Sequence, residues 1–356
     1  MPRTAKIGSS PIPLAKEGNR RRARGIIAAA LVIIFMRTLY ARAADLEPLY
    51  SGEAVTNMAI RAERDRGADP VGYYDINDTV QILDVEPEWL FVRQKKGDKV
   101  TEGFVLRHLV NVSKQLDPSA LPYGAVQSRH IATAMYDAPL YDRPSTGSST
   151  LMNLPEGARV AILSISNGWA KIAYFRQYGY VYMSHMTDLE PVQPNAAAAK
   201  PGQLIAAFTT AYSTKEDQLN IGRMNNIKVA CDYMQRQVMQ PGETLSFNGW
   251  LGPFSGMRGY MEAPILINGT TMPGYGGGTC QVSTTLYNAL LSLRGMTVLL
   301  RRAHGPSGAA YVPHGVDAAV GNATLDLRFR NDYGFPIAFE TYAGGGILSI
   351  AIYIAQ

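Results

Sequence analysis

The stretch GYGGGTCQVSTTLYNALLSL, residues 274–293, joins four glycines to a single cysteine and a helical pattern. Glycine lets a backbone adopt left-handed conformations and lets other groups approach the main chain closely. The spacing of apolar residues predicts a helix from about Cys280 to Arg294. The unpaired N–H groups and positive dipole end of such a helix lie beside the thiol and stabilise a thiolate. The stretch therefore predicts a nucleophilic cysteine at the start of a buried helix.

Strand patterns surround this helix in a C-terminal region that begins near Leu204. The predicted strands are 204–212, 263–267, 296–300, 318–320, 324–330, 336–341 and 347–354. A second helix is predicted over 225–239, and Asn268-Gly269 predicts a hairpin turn. We expect an α+β domain over residues 204–356, with one or two helices against an antiparallel sheet.

Two upstream segments resemble each other at an offset of 80 residues, which aligns Val80 with Val160 and Trp89 with Trp169. Short alternating strands separated by turn residues predict a small all-β barrel for each, filled by its tryptophan. The segments resemble bacterial SH3-like domains, which implies binding to peptidoglycan or to envelope proteins; a spacer role is the alternative. The predicted boundaries are 45–116, 117–190 and a Pro/Ala-rich linker over 191–203.

The first 44 residues have the pattern of a signal peptide or an N-terminal anchor. A basic stretch precedes twelve apolar residues, Gly25 to Met36, and Ala41-Arg42-Ala43 fits a cleavage site. We therefore expect a secreted or membrane-anchored protein facing outside the cytoplasmic membrane, which touches the membrane only through this segment. Residues 1–43 hold nine Lys or Arg and one Glu, so the rest of the +5 chain carries a net charge of −3. That distribution argues against a nucleic-acid partner.

Several motifs in the C-terminal region together resemble one family. They are PGETLSFN (241–248), RGY (258–260), EAP (262–264), GGGTCQVSTTLYN (276–288) and YVP (311–313). They resemble the VanW family over roughly residues 205–355. The resemblance implies a cell-wall setting, since family members occur in glycopeptide-resistance clusters of Gram-positive bacteria and in envelope proteins. The family pattern also has a histidine and an aspartate, which match His304 and Asp317.

Cys280, His304 and Asp317 supply a nucleophile, a base and a group that orients the base. Their order resembles the papain-like and transglutaminase-like arrangement, which implies attack on amide bonds of peptidoglycan by an amidase, peptidase or transpeptidase. The N–H groups of Cys280 and Gln281, or the Gln281 amide, are candidates to stabilise an oxyanion. The candidate substrate-binding residues are Gln281, Arg258, Glu262, Tyr287, Asn288, Tyr311 and His314.

Less reactive alternatives exist for the same residues. Cys280 fits a buried structural thiol or a disulfide with Cys231, the other cysteine of the chain. Cys280, His304 and His314 offer three zinc ligands, but no pair has zinc-ligand spacing, so we predict no metal and no cofactor. The alternative function is a non-catalytic wall-binding scaffold linked to envelope maintenance or glycopeptide resistance.

Overall fold

Antiparallel strands make up most of the regular secondary structure. The computed structural model describes residues 46–267, 270–305 and 308–356, and Pro48–Gln356 form one compact unit. These residues contain 24 strands and three α-helices, which confirms a mostly β fold with few helices. The predicted signal or anchor segment and the Asn268-Gly269 turn lie outside the described residues. Within the part of the chain that the structure covers, no helix has the length and apolar character needed to cross a membrane.

The first region of the fold is a single seven-stranded sheet. Its strands are β1 (Tyr50–Ala54), β2 (Met58–Arg61), β3 (Pro70–Tyr74), β4 (Thr79–Val85), β5 (Trp89–Lys96), β6 (Lys99–Leu106) and β7 (Val110–Gln115). They follow the order β3-β2-β6-β5-β4-β1-β7. Ile60, Ile82 and Leu90 form its core and have no exposed surface. Alternating apolar residues along the strands therefore cover one packed face, as the period-two pattern predicts.

The second region divides its strands between two sheets. The strands are β8 (His130–Ala134), β9 (Ala138–Tyr141), β10 (Thr150–Leu154), β11 (Arg159–Ile162), β12 (Ser164–Ser166), β13 (Trp169–Tyr174), β14 (Gln177–Tyr182) and β15 (Met186–Pro191). One sheet has the order β10-β9-β14-β13-β12, and the other has the order β11-β8-β15. The SH3-like identity of both regions, and the domain boundaries, remain predictions.

The two tryptophans do not fill the centres of these regions as expected. Trp89 is buried at the end of its strand, but Trp169 is only half-buried. Its ring packs against Tyr141 and Tyr182 at 5.7 and 5.2 Å between centroids. Small aliphatic residues such as Ala132, Val160 and Ile172 occupy the core of the second region instead. The prediction was wrong for Trp169 because its large ring lies on the outer face of β13.

The third region contains the helices. Its elements are β16 (Leu204–Ala211), α1 (Gln218–Met234), β17 (Val238–Met239), β18 (Thr244–Ser246), α2 (Phe247–Leu251), β19 (Glu262–Ile267), β20 (Thr270–Tyr275), α3 (Thr279–Leu291), β21 (Met296–Leu300), β22 (Arg328–Asn331), β23 (Ile337–Gly344) and β24 (Ile347–Ile354). The sheets are β16-β24-β23-β17, β18-β22-β21 and the hairpin β19-β20. This arrangement is the α+β architecture predicted for residues 204–356.

Three predicted elements differ from the observed ones. The predicted helix over 225–239 is observed as α1 over Gln218–Met234, because Asp217 caps it by accepting the N–H of Asn220 at 2.9 Å and because Val238–Met239 form β17 instead. The predicted strand over 324–330 forms only as β22 (Arg328–Asn331). The predicted strand over 318–320 does not form. Its backbone bonds instead to side chains of α3: the Thr284 hydroxyl accepts the Ala318 N–H at 2.9 Å, and the Ser283 hydroxyl donates to the Ala318 carbonyl.

The second and third regions share a packed interior. Ile131 and Ala161 pack with Ala207 and Ala351 between β8, β11, β16 and β24. The predicted linker over 191–203 also contributes buried Val192 to this interior. The regions are therefore held by side-chain packing as well as by chain connectivity.

Candidate active site

Cys280 lies in the first turn of α3, directly after the glycine run. Gly278 precedes the helix with φ at +105°, a conformation that favours glycine. The Cys280 side chain is half-buried, and the Val320 N–H donates to its Sγ at 3.4 Å. The thiol lies at the same distance from the Val320 carbonyl oxygen. The extended segment 318–320 therefore fixes the sulfur at the start of the helix.

His304 and Asp317 lie together beside this thiol. The Nδ1 atom of His304 is 2.7 Å from Asp317 Oδ2, and the same oxygen accepts the His304 backbone N–H at 2.6 Å. The other polar side chain that interacts with the His304 ring is Cys280. The structure thus brings the three predicted catalytic candidates into one cluster.

Arg301 clamps Asp317 from the opposite side. Its Nη2 atom is 3.3 Å from Asp317 Oδ1, and its Nε donates to the Asp317 carbonyl at 2.6 Å. The same Nη2 donates to the Gly315 carbonyl at 2.8 Å, and the guanidinium lies 5.2 Å from the centre of the Tyr287 ring. The carboxylate of Asp317 is almost fully buried, so this charge pairing offsets its desolvation.

The contacts described above determine the charge states of His304 and Asp317. Burial lowers the pKa of His304, but hydrogen bonds to Asp317 and Cys280 prevail and raise it to about 9. Burial raises the pKa of Asp317, but hydrogen bonds from His304 and the field of Arg301 hold it below its usual range. At neutral pH the imidazole is therefore protonated and the carboxylate ionised.

The Gln281 side chain is fully buried and does not face a substrate. Its Nε2 donates to Thr210 Oγ1 and to the Ala211 carbonyl, both at 2.9 Å, and its Oε1 accepts from Arg223. Its backbone N–H donates to the Gly278 carbonyl at 2.9 Å. Both Gln281 donors expected to stabilise an oxyanion are therefore used internally. The Cys280 N–H has no acceptor among the described residues and remains available.

Asn288 and Tyr311 also lie in the packed part of the site. Asn288 donates to the carbonyls of Thr284 and Val316 at 2.8 Å, so it fastens the segment that leads to Asp317. The Tyr311 hydroxyl is buried close to Thr284 and makes no hydrogen bond with any described residue. Burial raises the pKa of Tyr311, and the nearby thiol adds to that effect.

Of the remaining predicted substrate-binding residues, Arg258 and Glu262 are not brought to the cluster, whereas Tyr287 and His314 lie at its edge. Arg258 donates to the Gly252 carbonyl and stacks 4.2 Å from the centre of the Tyr233 ring. Glu262 is exposed at the start of β19. Tyr287 supports Arg301, and the ring of His314 lies 6.4 Å from that of His108 in the first region.

Neither the disulfide nor a zinc site forms among the described residues. Cys231 and Cys280 are both free, and Cys231 is buried in α1. Over the described ranges, no group of three or more His, Cys, Asp or Glu side chains is placed to hold a metal ion.

An open cavity of about 400 Å³ adjoins the segment that holds the sulfur. Gly321, which follows Val320, lines it together with Phe254 and Tyr275. Polar walls come from Asn248 and Asp326. The cavity offers both apolar and polar surface, but Cys280, His304 and Asp317 do not line it.

The comparisons with known proteins cover this site. Residues 222–353 match the family model described as VanW like protein, so the C-terminal region contains a VanW-like domain, as its motifs predict. Uncharacterized protein YoaR of Bacillus subtilis (strain 168) is 34% identical over 180 residues, 49% of this chain and 59% of that protein. Vancomycin B-type resistance protein VanW of Enterococcus faecalis (strain ATCC 700802 / V583) is 30% identical over 111 residues, 30% of this chain and 40% of that protein. The chain thus spans less than two thirds of either relative.

Solved structures give only a weak likeness. NlpC1 from Trichomonas vaginalis has a TM-score of 0.17 and 13% identity, covering 81% of this chain and 90% of that one. An NlpC/P60 family protein from Bacillus cereus ATCC 10987 has a TM-score of 0.16 and 11% identity, covering 85% and 94%. Scores this low support no conclusion about a shared fold.

Proposed function

We propose that this protein acts outside the cytoplasmic membrane on amide bonds of peptidoglycan peptides through Cys280, His304 and Asp317. The observation that carries the proposal is the hydrogen-bonded pair of His304 and Asp317, 2.7 Å apart, with the imidazole against the thiol. A VanW-like domain and a relative named as a vancomycin resistance protein favour a wall substrate. The predicted leader favours the location.

The geometry suits acyl transfer by a thiolate–imidazolium pair. The Cys280 thiolate attacks the carbonyl carbon, and its unpaired backbone N–H stabilises the developing oxyanion. Protonated His304 gives its proton to the leaving nitrogen as the C–N bond breaks and a thioester remains. Water or an amine then attacks the thioester, releases the acyl group and returns the proton to the thiol–imidazole pair. Asp317 and Arg301 keep the imidazole oriented during both steps.

Labelling and digestion test the proposal together. We expect iodoacetamide to alkylate the folded wild-type protein at Cys280 and to alkylate the matched control Cys231→Ala equally. The folded Cys280→Ser protein should not be alkylated. Purified peptidoglycan incubated with the wild-type protein should release peptide fragments or show new cross-links by mass spectrometry. His304→Gln should lower the rate by about 10²- to 10⁴-fold. Efficient labelling with no change in the peptidoglycan would contradict the catalytic proposal.

A second candidate, a wall-binding scaffold, is favoured by an aromatic surface in the second region. Its rings contact each other in sequence from Tyr136 to His185, Tyr182, Trp169 and Tyr141, with centroids 5.2–6.0 Å apart. Tyr136 and Tyr182 are 46% and 40% exposed. Such a surface offers large contact area at low entropic cost.

Sedimentation with insoluble peptidoglycan tests this candidate. The Cys280→Ser protein should pellet with the polymer, and Tyr136→Ala with Tyr182→Ala should remain in the supernatant. Tyr73→Ala is the matched control, because Tyr73 is 60% exposed in the first region. Equal loss of binding in the control would count against a specific aromatic surface.

A further inference from the structure

Arg223 lies against the start of α3, although the motifs did not point to it. It belongs to α1, is half-buried, and donates through Nη2 to Gln281 Oε1. Gln281 directly follows Cys280 and is itself fixed by Thr210 and Ala211. The guanidinium is therefore held in place by a fully buried amide.

Glycines make this approach possible. A Cβ atom on Gly278 would lie 2.8 Å from the Arg223 carbonyl oxygen and 3.0 Å from its Cγ. A Cβ on Gly222 would lie 2.1 Å from the Glu262 carbonyl oxygen. A side chain at Gly278 would force α1 away from the start of α3, and a side chain at Gly222 would force α1 away from β19. The glycine run thus brings a cation to the helix terminus that carries the cysteine.

The positive charge of Arg223 has no carboxylate partner among the described residues. A guanidinium has five N–H donors, and Gln281 is the one acceptor that the described residues provide. Burial lowers the pKa of Arg223, and the nearby Tyr311, Tyr212 and Cys280 side chains oppose that effect. Burying a charged group without a counter-charge costs free energy, so the remaining donors suit an anionic ligand.

We infer that Arg223 binds the free terminal carboxylate of the peptide on which Cys280 acts. Counting charges in the cluster supports this assignment. Arg301 and His304 both pair with Asp317, the one carboxylate of the cluster, which leaves the charge of Arg223 without a carboxylate. A planar guanidinium matches a carboxylate with two parallel hydrogen bonds. The inference rests on the proposed function and narrows it to bonds near the end of a peptide.

Equilibrium binding separates this inference from catalysis. The Cys280→Ala protein is titrated with an acetylated lysyl-D-alanyl-D-alanine peptide, either as the free acid or as its terminal amide. We expect the free acid to bind about 10- to 100-fold more tightly. In Arg223→Met on the same background both forms should bind equally weakly, and Arg223→Lys should keep part of the preference. Arg302→Met changes an exposed arginine outside α1 and is the control that should keep the full preference.

The outcomes distinguish the two proposals. Equal affinity for the acid and the amide, no binding of either, or a preference that survives Arg223→Met would overturn the inference. Because the variant lacks the thiol, none of these results depends on whether Cys280 reacts. Conversely, a carboxylate preference in a protein whose wild-type form leaves peptidoglycan unchanged would uphold the inference and refute the catalytic step. Thermal unfolding of each variant confirms that the fold is intact.

Discussion

His304 receives opposing influences from its surroundings, and their balance determines its charge. Removal from water favours the neutral ring, whereas Asp317 and the thiol favour the imidazolium. The result is a pKa of about 9, against 6.5 for an ordinary histidine. Because the group is acidic enough to donate its proton at neutral pH and still mostly charged, it suits the leaving-group step proposed above.

The raised pKa of His304 predicts a pH-dependent stability. A folded-state pKa above the unfolded value means that the contribution is complete below pH 6.5 and is lost as pH rises through about 9. The full shift corresponds to at most about 3 kcal/mol. Urea unfolding on both sides of this window measures the change. His304→Gln should remove this part of the slope, and an identical slope in both proteins would show that His304 is not the titrating group.

At the scale of elements, α3 joins the site to the rest of the third region. Its polar side chains fasten β16 on one face and the segment 316–320 on the other. This explains why a buried helix carries Gln281, Ser283, Thr284, Thr285 and Asn288. Each is buried with its hydrogen bonds made, as buried polar groups require.

Gly278 is the position before α3 at which we expect a substitution to destabilise the fold most. In Gly278→Ala, the positive φ and the contact with Arg223 both oppose the new methyl group. We expect the free energy of unfolding to fall by about 2–4 kcal/mol. Gly242→Ala is the matched control, because Gly242 has φ at +75° but nothing within 4 Å of a Cβ, and about 1–2 kcal/mol should be lost. Equal losses in urea unfolding would show that the close approach of α1 does not matter.

In the third region, the sequence predicted the positions of helices and strands better than the residues with which they pack and form hydrogen bonds. Periodicity located α3 and the terminal strands, because each has a strong local pattern. The segment 318–320 has a strand-like composition, but its hydrogen bonds come from helix side chains, which no local pattern reveals. Likewise, motifs identified Cys280, His304 and Asp317, whereas Arg223 is brought to Gln281, the neighbour of Cys280, only through the packing of two helices. For Arg301, the available signal in the sequence is its position three residues before His304.

At the scale of the whole molecule, charged groups tie the second region to the third. The Arg159 guanidinium bonds to Glu340 at 2.8 Å, to Glu190 at 3.2 Å and to the Tyr353 hydroxyl at 3.0 Å. Arg176 also donates to the carbonyls of Ala309 and Val312, within the segment that leads to Asp317. The N-terminal sheets therefore support the site as well as precede it.

This arrangement predicts cooperative unfolding of residues 48–356. We expect one transition in calorimetry, with Arg159→Met lowering the free energy of unfolding by about 1–2 kcal/mol, since its network is partly solvent-screened. Lys228→Met removes an exposed ion pair within α1 and should cost less than about 0.5 kcal/mol. Two separate transitions in the wild-type protein would show that the second region unfolds independently.

The burial of Cys231 allows the folded state to be followed by counting reactive thiols. Burial raises the pKa of this thiol, and the side chain is only 2% exposed. A thiol reagent should therefore modify one sulfur per chain in the native protein and two after denaturation. Comparing the number of thiols modified per chain before and after denaturation measures the fraction of correctly folded protein in a preparation, and this measurement needs no substrate.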